Sequence, residues 1–276
     1  MNKEIDSNKL RICITGSSGF IGTNLSDHLK DRDDLELIPF EGDLLAPKDI
    51  DLFFEKYPKI DLIIHMVGLF QSDFDKLLLI NVAALNNLLE AAVHNKIKKV
   101  IFTSTGAVYG EPIQEKSLES DPLRPNTLYG LSKKYAEECV LFYAKNFGLE
   151  YVILRLANVY GGGSRQGVVY NFIEGAKKDH EITIFGDGTQ SRNFLHVLDA
   201  CRGIERAISY KKSGIFNISN PKKITLNNLA EILKKKYQFD VIYQPSNNNL
   251  KNLLLDTSKA QKELGFESMI KEIELS

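Results

Sequence analysis

Tyr129 and Lys133 stand four residues apart and are the two side chains in this sequence with the clearest capacity for chemistry. The residues around them predict a helix that begins near Tyr129 and runs to about Phe147, so both side chains lie on one helical face. An ammonium group beside a phenol favours the phenolate, which predicts a lowered pKa for Tyr129. Such a tyrosine can exchange a proton with the hydroxyl or keto group of a substrate. A YxxxK pair also occurs often by chance, so its context decides its meaning.

Small hydroxyl residues precede this pair in the chain. Thr103, Ser104 and Thr105 close a predicted strand over Lys99–Ser104. Hydroxyls at the end of a strand can hydrogen-bond the alcohol or carbonyl of a substrate, although such residues on their own more often form turns. The order of hydroxyl strand end and then Tyr-Lys helix is the one that proton transfer would need.

Three glycines follow the first apolar run. Leu10–Thr15 predicts a strand, and Gly16, Gly19 and Gly22 lead into an amphipathic stretch that ends near Asp31. Strand, glycine turn and helix in this order are typical of the opening of a dinucleotide-binding βαβ unit. The GxxGxxG spacing is a variant of the GxGxxG fingerprint, and taken alone it is also compatible with a purely structural turn.

The next predicted strand, Leu35–Phe40, is followed by two acids. Glu41 is the candidate for hydrogen bonds to the adenosine ribose, and Asp43 is a second acid nearby. No arginine follows the strand to hold a 2′-phosphate, which favours NAD and leaves NADP as the alternative. Both acids could equally be solvated loop residues.

Helices and strands continue to alternate beyond this loop. The sequence predicts a helix over Pro47–Tyr57, a strand over Asp61–Val67 and a long amphipathic helix over about Asp73–Asn95. This alternation predicts an α/β fold with a Rossmann-type doubly wound parallel sheet. In such sheets ligands bind at the carboxyl ends of the strands, where the motifs above lie.

Composition and charge indicate which partners and which cellular compartment to expect. The chain has 276 residues and a formal net charge of -1, so a nucleic-acid partner has no support. We find no signal peptide and no apolar run approaching the ~20 residues of a membrane span, which predicts a cytoplasmic protein without a membrane partner. The three cysteines are widely spaced, so we expect no metal site and no disulfide framework.

Several motifs together resemble the extended short-chain dehydrogenase/reductases, and within them the NAD-dependent epimerase/dehydratase family that acts on nucleotide sugars. The motifs are TGSSGFIG, HMVG, TSTGAVYG, YGLSK, LRLANVYG, FGDGTQSRNFLHVLDA, FNISNP and DTSKAQKELGF. They cover nearly the whole chain in the family's order. The resemblance is specific for the family and does not identify the substrate.

The resemblance implies roles for individual residues. Tyr129 would transfer the proton, Lys133 would hold the nicotinamide ribose, and Thr105, or Ser104 in its place, would hydrogen-bond the reacting oxygen. Asn158 would contact the phosphate or sugar of the substrate, and Arg192 would meet the diphosphate, although Arg192 could also form a surface ion pair. The predicted cofactor-binding residues are Gly16, Ser18, Gly19, Phe20, Ile21, Gly22, Glu41, Asp43, Leu44, Val67, Gly68, Asn81, Thr103, Ser104, Tyr129 and Lys133.

Departures from the family pattern divide its chemistries. Gly106 and Ala107 follow Thr105. Family members that dehydrate or decarboxylate their substrates carry acidic residues after this hydroxyl, so the resemblance disfavours those two reactions. Asn193 stands where an acid is frequent, and Lys251 is the one cation near the place where many members carry a diphosphate-binding arginine. A UDP-sugar 4-epimerase is the favoured reading. A 4-keto-6-deoxysugar reductase using NAD(P)H is the alternative, and a non-catalytic redox sensor or binding module is a third.

The resemblance also implies an overall organisation. We predict a Rossmann domain of residues 1–158 and 193–210, and a small C-terminal substrate-binding lobe of residues 159–192 and 211–276. The helices around Ala84–Ala92 and Tyr135–Phe147 carry apolar residues on more than one face. Family members commonly pair these helices in the four-helix bundle of a dimer, so the resemblance implies a homodimer of this kind. Core packing is the alternative explanation of the pattern.

Overall fold

A computed structural model describes residues 9–245 and 252–273. Its strands are β1 (Leu10–Thr15), β2 (Leu35–Pro39), β3 (Leu62–His65), β4 (Lys99–Thr105), β5 (Glu150–Leu156), β6 (Asn158–Tyr160), β7 (Glu181–Phe185), β8 (Ser191–Arg192), β9 (Phe194–His196), β10 (Gly214–Ile218), β11 (Ile224–Thr225), β12 (Asp240–Gln244) and β13 (Asn252–Leu253). Its α-helices are α1 (Phe20–Leu29), α2 (Pro47–Lys56), α3 (Phe74–Leu78), α4 (Ala84–His94), α5 (Leu128–Phe147), α6 (Val168–Lys178), α7 (Val197–Ser209) and α8 (Leu226–Lys234). Two π-helical turns, Leu79–Ala83 and Ala260–Leu264, and a 3₁₀ turn at Gly106–Val108 complete the elements.

Six strands form the main sheet in the order β10-β5-β4-β3-β1-β2. β1 pairs in parallel with β2 on one side and with β3 on the other, and β3 pairs in parallel with β4. All four residues of β3 are buried, as expected for a strand of a parallel sheet that is covered on both faces. The predicted Rossmann-type doubly wound parallel sheet is confirmed.

The predicted elements agree with the observed ones to within one or two residues at most ends. β1 covers Leu10–Thr15 as predicted, and α2 ends one residue before the predicted Tyr57. β3 ends at His65 instead of Val67. The N–H of Met66 still donates to the carbonyl of Thr15 at 3.1 Å, and the chain at Met66 and Val67 then passes the glycine turn, 3.0 Å from the position that a Cβ of Gly16 would take.

The long helix predicted over Asp73–Asn95 is a continuous helical segment, Phe74–His94, interrupted by the π turn Leu79–Ala83. It begins after Asp73, whose carboxylate accepts a hydrogen bond from the backbone N–H of Lys76 at 2.9 Å. Contrary to the expectation that no segment approaches a membrane span, Phe74–His94 is long enough for one, and its most apolar 18-residue window has a mean hydropathy of 1.4. This is weak evidence for a membrane, because the buried core helix of a globular protein passes the same test, and 44% of its most apolar window is buried.

The chain divides into two compact units. The first unit contains residues up to Thr103, Ser132–Ile153 and Ala207–Gly214, and the second contains Ser104–Leu131, Leu154–Arg206 and the residues from Ile215 onward. The division into a Rossmann domain and a small substrate-binding lobe at the boundaries given above stays a prediction.

An apolar core of its own holds part of the second unit together. It is formed by α6, α8 and the strands beside them, with Phe172, Ile184, Phe194, Leu229 and Leu233 among its members. β7 and β12 form a parallel pair, and β11, β8 and β13 form a three-stranded sheet. The three-stranded sheet includes β8, which carries Arg192. A separate parallel pair is formed by β9 and β6, which carries Asn158.

A buried carboxylate ties the last described segment of the chain to α7. Asp199 is fully buried and accepts hydrogen bonds from the Ser268 hydroxyl at 2.8 Å, from the Met269 N–H at 3.0 Å and from the Ile270 N–H at 3.1 Å. The Arg202 guanidinium pairs with the same carboxylate at 2.5 Å. With four donors around it, the buried charge is compensated.

Candidate active site

The glycine turn between β1 and α1 shows why its three glycines have this spacing. A Cβ on Gly22 would lie 2.1 Å from the carbonyl oxygen of Gly16, and Gly16 itself has a left-handed φ of +76°. The N–H of Gly19 donates to the same carbonyl at 3.0 Å. α1 begins after Gly19 without a side-chain cap, so backbone N–H groups and the positive end of the helix dipole are presented there. This bare cradle fits the pyrophosphate of a dinucleotide.

The acidic loop after β2 is held by backbone contacts. Glu41 and Asp43 are exposed, whereas Leu44 is buried. One oxygen of the Asp43 carboxylate accepts from the N–H of Leu45 at 2.9 Å, and the Asp49 carboxylate accepts from the N–H of Asp43 at 2.8 Å. The carboxylates of Glu41 and Asp43 are therefore exposed in a loop after β2, which fits the predicted adenosine end of the cofactor.

Lys133 lies in the first unit and is buried. Its ammonium donates to the carbonyl oxygen of Thr103 at 3.0 Å and lies 4.6 Å from the centroid of the Phe102 ring. Burial lowers the pKa of Lys133 to about 8, and the Glu137 carboxylate acts in the opposite direction. A Cβ on Gly68 would come within 3.1 Å of this ammonium. Gly68 and Lys133, both predicted cofactor residues, are thus brought together.

Asn81 is fully buried and joins three segments of the first unit. Its amide nitrogen donates to the Ser132 hydroxyl and to the Leu69 carbonyl, both at 2.9 Å. Its amide oxygen accepts from the N–H of Leu69 at 2.7 Å. Asn81 therefore holds the chain just after Val67 and Gly68 against α5, in keeping with a structural asparagine beside the active site.

Thr105 and Tyr129 are brought together in the second unit. The Thr105 hydroxyl forms a hydrogen bond with the phenol of Tyr129 and accepts another from the N–H of Ala107 at 3.2 Å. Burial raises the pKa of Tyr129 to about 12, and the hydrogen bond from Thr105 acts in the opposite direction. The predicted lowering of this pKa is therefore wrong for the protein without bound ligands, because desolvation of the phenolate dominates.

Tyr129 and Lys133 share one helix. α5 includes Tyr129 in its first turn and Lys133 one turn later. The predicted placement on one helical face follows from this spacing. Thr127, just before the helix, accepts from the N–H of Gly130 at 3.0 Å and so caps its first turn.

The predicted substrate residues Asn158 and Arg192 lie on different strands of the second unit. Arg192 is half-buried, its guanidinium donates to the carbonyl of Ser191 at 2.9 Å, and burial lowers its pKa. The Asn158 amide nitrogen lies 3.5 Å from the carbonyl oxygen of Asn193, at the limit of a hydrogen bond. Lys251, the other predicted cation, lies outside the described residues.

Comparison with known proteins decides the family. The model of the NAD dependent epimerase/dehydratase family matches residues 12–219. This chain belongs to that family. A putative UDP-glucose 4-epimerase of Methanocaldococcus jannaschii is 32% identical, with 94% of this chain and 93% of the relative covered. UDP-glucuronic acid decarboxylase 6 of Arabidopsis thaliana is 28% identical, with 98% and 88% covered. The crystal structure of a UDP-glucose 4-epimerase from Thermotoga maritima with UDP-glucose has a TM-score of 0.86 and 27% identity, with 94% of each chain covered.

Two residues of this epimerase/dehydratase family member were missed by reasoning from the sequence. Asp49 holds the acidic loop, and its place in the first turn of α2 was the available signal. His65 is fully buried at the end of β3, with its Nδ1 atom 2.8 Å from the Thr15 hydroxyl. Burial lowers the pKa of His65 to about 3, and the Lys133 ammonium acts in the same direction. Its place in a predicted strand of the parallel sheet was a signal for this burial, whereas the contact with Thr15 had none.

Proposed function

We propose that this protein is an NAD-dependent nucleotide-sugar 4-epimerase that acts through a transient 4-keto sugar. The observation that carries the proposal is the hydrogen bond between the Thr105 hydroxyl and the Tyr129 phenol, with Lys133 one turn further along α5. Inversion at a carbinol carbon requires its hydroxyl to lose a proton and regain it. A phenol and a hydroxyl in contact can perform both transfers.

Tyr129 is the residue that moves the proton. Its phenolate accepts the proton of the sugar 4-hydroxyl as the 4-keto sugar forms, and its phenol returns the proton when the hydroxyl is re-formed on the other face. With a pKa of about 12, Tyr129 is protonated at neutral pH in the protein alone. The Thr105 hydroxyl lowers this pKa by donating to the phenolate, so it supports the charged form that the first transfer needs.

The first unit would hold the cofactor. The turn of Gly16, Gly19 and Gly22 fits the pyrophosphate, Glu41 and Asp43 fit the adenosine ribose, and Lys133 fits the nicotinamide ribose. When bound, NAD supplies the acceptor and the donor of the sugar's hydride. We assign NAD rather than NADP because this loop carries carboxylates, which repel a 2′-phosphate.

The nucleotide end of the substrate would be held by the second unit. The guanidinium of Arg192 carries planar donors that match a diphosphate, and the amide of Asn158 can donate to a phosphate or a sugar hydroxyl. We propose a UDP-sugar because the relatives named above act on UDP-glucose or UDP-glucuronic acid.

Decarboxylation is disfavoured by the residues after Thr105. Gly106 and Ala107 have no side chain that can carry a proton. A Cβ on Gly106 would lie 3.1 Å from both methyl groups of Leu255, so a longer acidic side chain would have to displace this buried leucine. The similarity to a decarboxylase therefore extends to the family and not to this position.

The test of the function begins with the protein as purified. We would denature it, identify any released dinucleotide by mass spectrometry, and measure the conversion of UDP-glucose to UDP-galactose and the reverse reaction by native protein. We expect stoichiometric NAD(H) and conversion in both directions. A protein without dinucleotide that is stabilised more by NADPH than by NAD, and that reduces a nucleotide 4-keto-6-deoxysugar, would establish the reductase instead. Dinucleotide binding without turnover of any nucleotide sugar would indicate a redox sensor or binding module.

We also propose a cytoplasmic homodimer that assembles through a four-helix bundle. Exposed aromatic residues lie along α5, with Tyr135 exposed by 43%, Phe142 by 57% and Phe147 by 55%. Phe142 lies 5.7 Å from Tyr143 and 6.3 Å from Phe147, and Tyr143 stacks on Phe147 at 5.4 Å between ring centroids, so these three rings form one apolar patch. The free cysteines Cys13 and Cys201 are buried, which suits a reducing compartment. Sedimentation that shows only monomer at micromolar concentration would contradict the dimer.

A further inference from the structure

We propose that Gly130 and Ala107 are positioning residues that set the distance between Thr105 and Tyr129. The contacts are all within the second unit, and the kinetic part of the test rests on the proposed function. Neither residue can transfer a proton. Their contribution lies in where they place the two groups that can.

The peptide groups of Ala107 connect the catalytic hydroxyl to the start of α5. The N–H of Ala107 donates to the Thr105 hydroxyl at 3.2 Å. Because this bond uses the hydroxyl oxygen as an acceptor, the hydroxyl hydrogen remains available for the phenol of Tyr129. The carbonyl of Ala107 lies against Gly130, so the same residue contacts both sides of the catalytic pair.

Gly130 allows this approach because it has no side chain. A Cβ at this position would lie 2.5 Å from the carbonyl oxygen of Ala107, and 3.1 Å from both the Ala107 carbonyl carbon and the Cβ atom of Pro125. Real Cβ atoms do not approach a backbone oxygen to 2.5 Å, so any side chain would separate α5 from the turn. Tyr129 is the neighbouring residue and would move with the helix.

Neither partner can yield without disturbing the other. Ala107 is the middle residue of the 3₁₀ turn Gly106–Val108, which is closed by the N–H of Tyr109 on the carbonyl of Gly106 at 3.1 Å. On the other side, the N–H of Gly130 is held by the Thr127 hydroxyl at 3.0 Å. A methyl group at Gly130 therefore changes the geometry between Thr105 and Tyr129.

The direct test is Gly130→Ala. Separation of the pair weakens the hydrogen bond that favours the phenolate, so the pH midpoint at which kcat rises should move up by about one unit, and kcat at pH 7 should fall about tenfold. KM for the nucleotide sugar should change little, because Asn158 and Arg192 are untouched.

Gly175→Ala is the matched control. Gly175 lies in α6, and a Cβ there would also lie 2.5 Å from a backbone carbonyl oxygen, that of Glu181. Both variants should lose stability, and the pH midpoint should move only in Gly130→Ala. Equal loss of stability with an unchanged midpoint in both variants would overturn the proposal.

A double-mutant cycle tests the connection to Thr105. Thr105→Val removes the hydrogen bond, so adding Gly130→Ala to it should move the pH midpoint no further. If the two shifts add, Gly130 acts by another route and the proposal is wrong. Should Gly130→Ala not fold, Thr127→Val removes the cap on Gly130 without adding volume, and we expect a smaller shift in the same direction. No shift in that variant would also count against the proposal.

One measurement does not depend on turnover. With 3-fluorotyrosine introduced at position 129, the fluorine resonance reports ionisation of this phenol directly. The ionisation midpoint should be higher in Gly130→Ala than in the otherwise wild-type protein, and unchanged in Gly175→Ala. If the wild-type protein epimerises no sugar, the proposed function fails, and this titration still decides the role of Gly130.

Discussion

The candidate pyrophosphate site and the surroundings of Arg192 are built in different ways. In the first unit the candidate pyrophosphate site is made of backbone, and the contact that determines its shape joins Gly16 and Gly22, six residues apart. In the second unit the corresponding contacts are long-range. Asn193, next to Arg192, donates to the carbonyl of Lys222 at 3.0 Å and accepts from the N–H of Leu255 at 2.8 Å.

This difference corresponds to two tasks of the family, the binding of the dinucleotide and the selection of the substrate. We expect the turn, which depends on neighbours in the sequence, to bind the phosphates of a dinucleotide, the part of the chemistry that family members share. Strands held by distant segments can change their side chains with the substrate. The second unit is therefore where a nucleotide sugar would be selected and turned over, and four changes test this contrast.

The largest effect is expected for Tyr129→Phe. The variant lacks the phenol that would exchange a proton with the sugar hydroxyl, so kcat should fall by about 10² to 10⁴. The glycine turn is unchanged, so the dinucleotide released from the denatured variant should remain stoichiometric. Full turnover of a nucleotide sugar by this variant would reject the catalytic assignment.

Acidification should destabilise the protein through the buried imidazole of His65, in the first unit. His65 has a pKa of about 3 in the folded protein and an ordinary value of 6.5, so the unfolded chain takes up a proton below pH 6.5 and the folded chain does not until about pH 3. The free energy of unfolding therefore falls as the pH drops through this window, by roughly 3 kcal/mol at pH 4. Urea unfolding followed by circular dichroism should show a smaller loss between pH 7 and pH 4 for His65→Gln than for the wild type. Parallel losses would contradict the burial of His65.

Two alanine substitutions in the glycine turn should differ in size. A Cβ on Gly22 meets the Gly16 carbonyl oxygen at 2.1 Å, whereas a Cβ on Gly19 meets the same atom at 3.2 Å. Gly22→Ala should cost about 1 to 3 kcal/mol of stability and abolish retention of the dinucleotide. Gly19→Ala should retain most of both. Equal effects in the stability and dinucleotide measurements would show that the turn is not shaped by this contact.

The smallest effect is expected for Asn193→Asp. The carboxylate keeps the shape and still accepts from the N–H of Leu255, but it cannot donate to the Lys222 carbonyl and places two acceptors against each other. We expect a loss of about 1 to 3 kcal/mol at neutral pH in urea unfolding. Asn228→Asp makes the same chemical change at an exposed position of this unit and should be nearly neutral. A neutral Asn193→Asp variant would mean that this long-range contact is dispensable.

Much of the fold and part of the site could be predicted from the chain itself. The strand, glycine turn and helix at Leu10–Leu29, the alternation that builds the parallel sheet, and the shared helix of Tyr129 and Lys133 all follow from residues close together in sequence. Such features depend on backbone conformation and helical or strand periodicity, which neighbouring residues determine. The family followed from the order of these motifs.

Only the tertiary structure decided how the site is tuned. The pKa of Tyr129 is raised and not lowered, His65 is buried beside the Thr15 hydroxyl, and Gly130 lies against the carbonyl of Ala107. Each of these depends on segments that are distant in the chain and meet only after folding. Burial removes water from a charged group, and its cost is set by everything packed around that group, so spacing in the sequence cannot reveal its size or its sign.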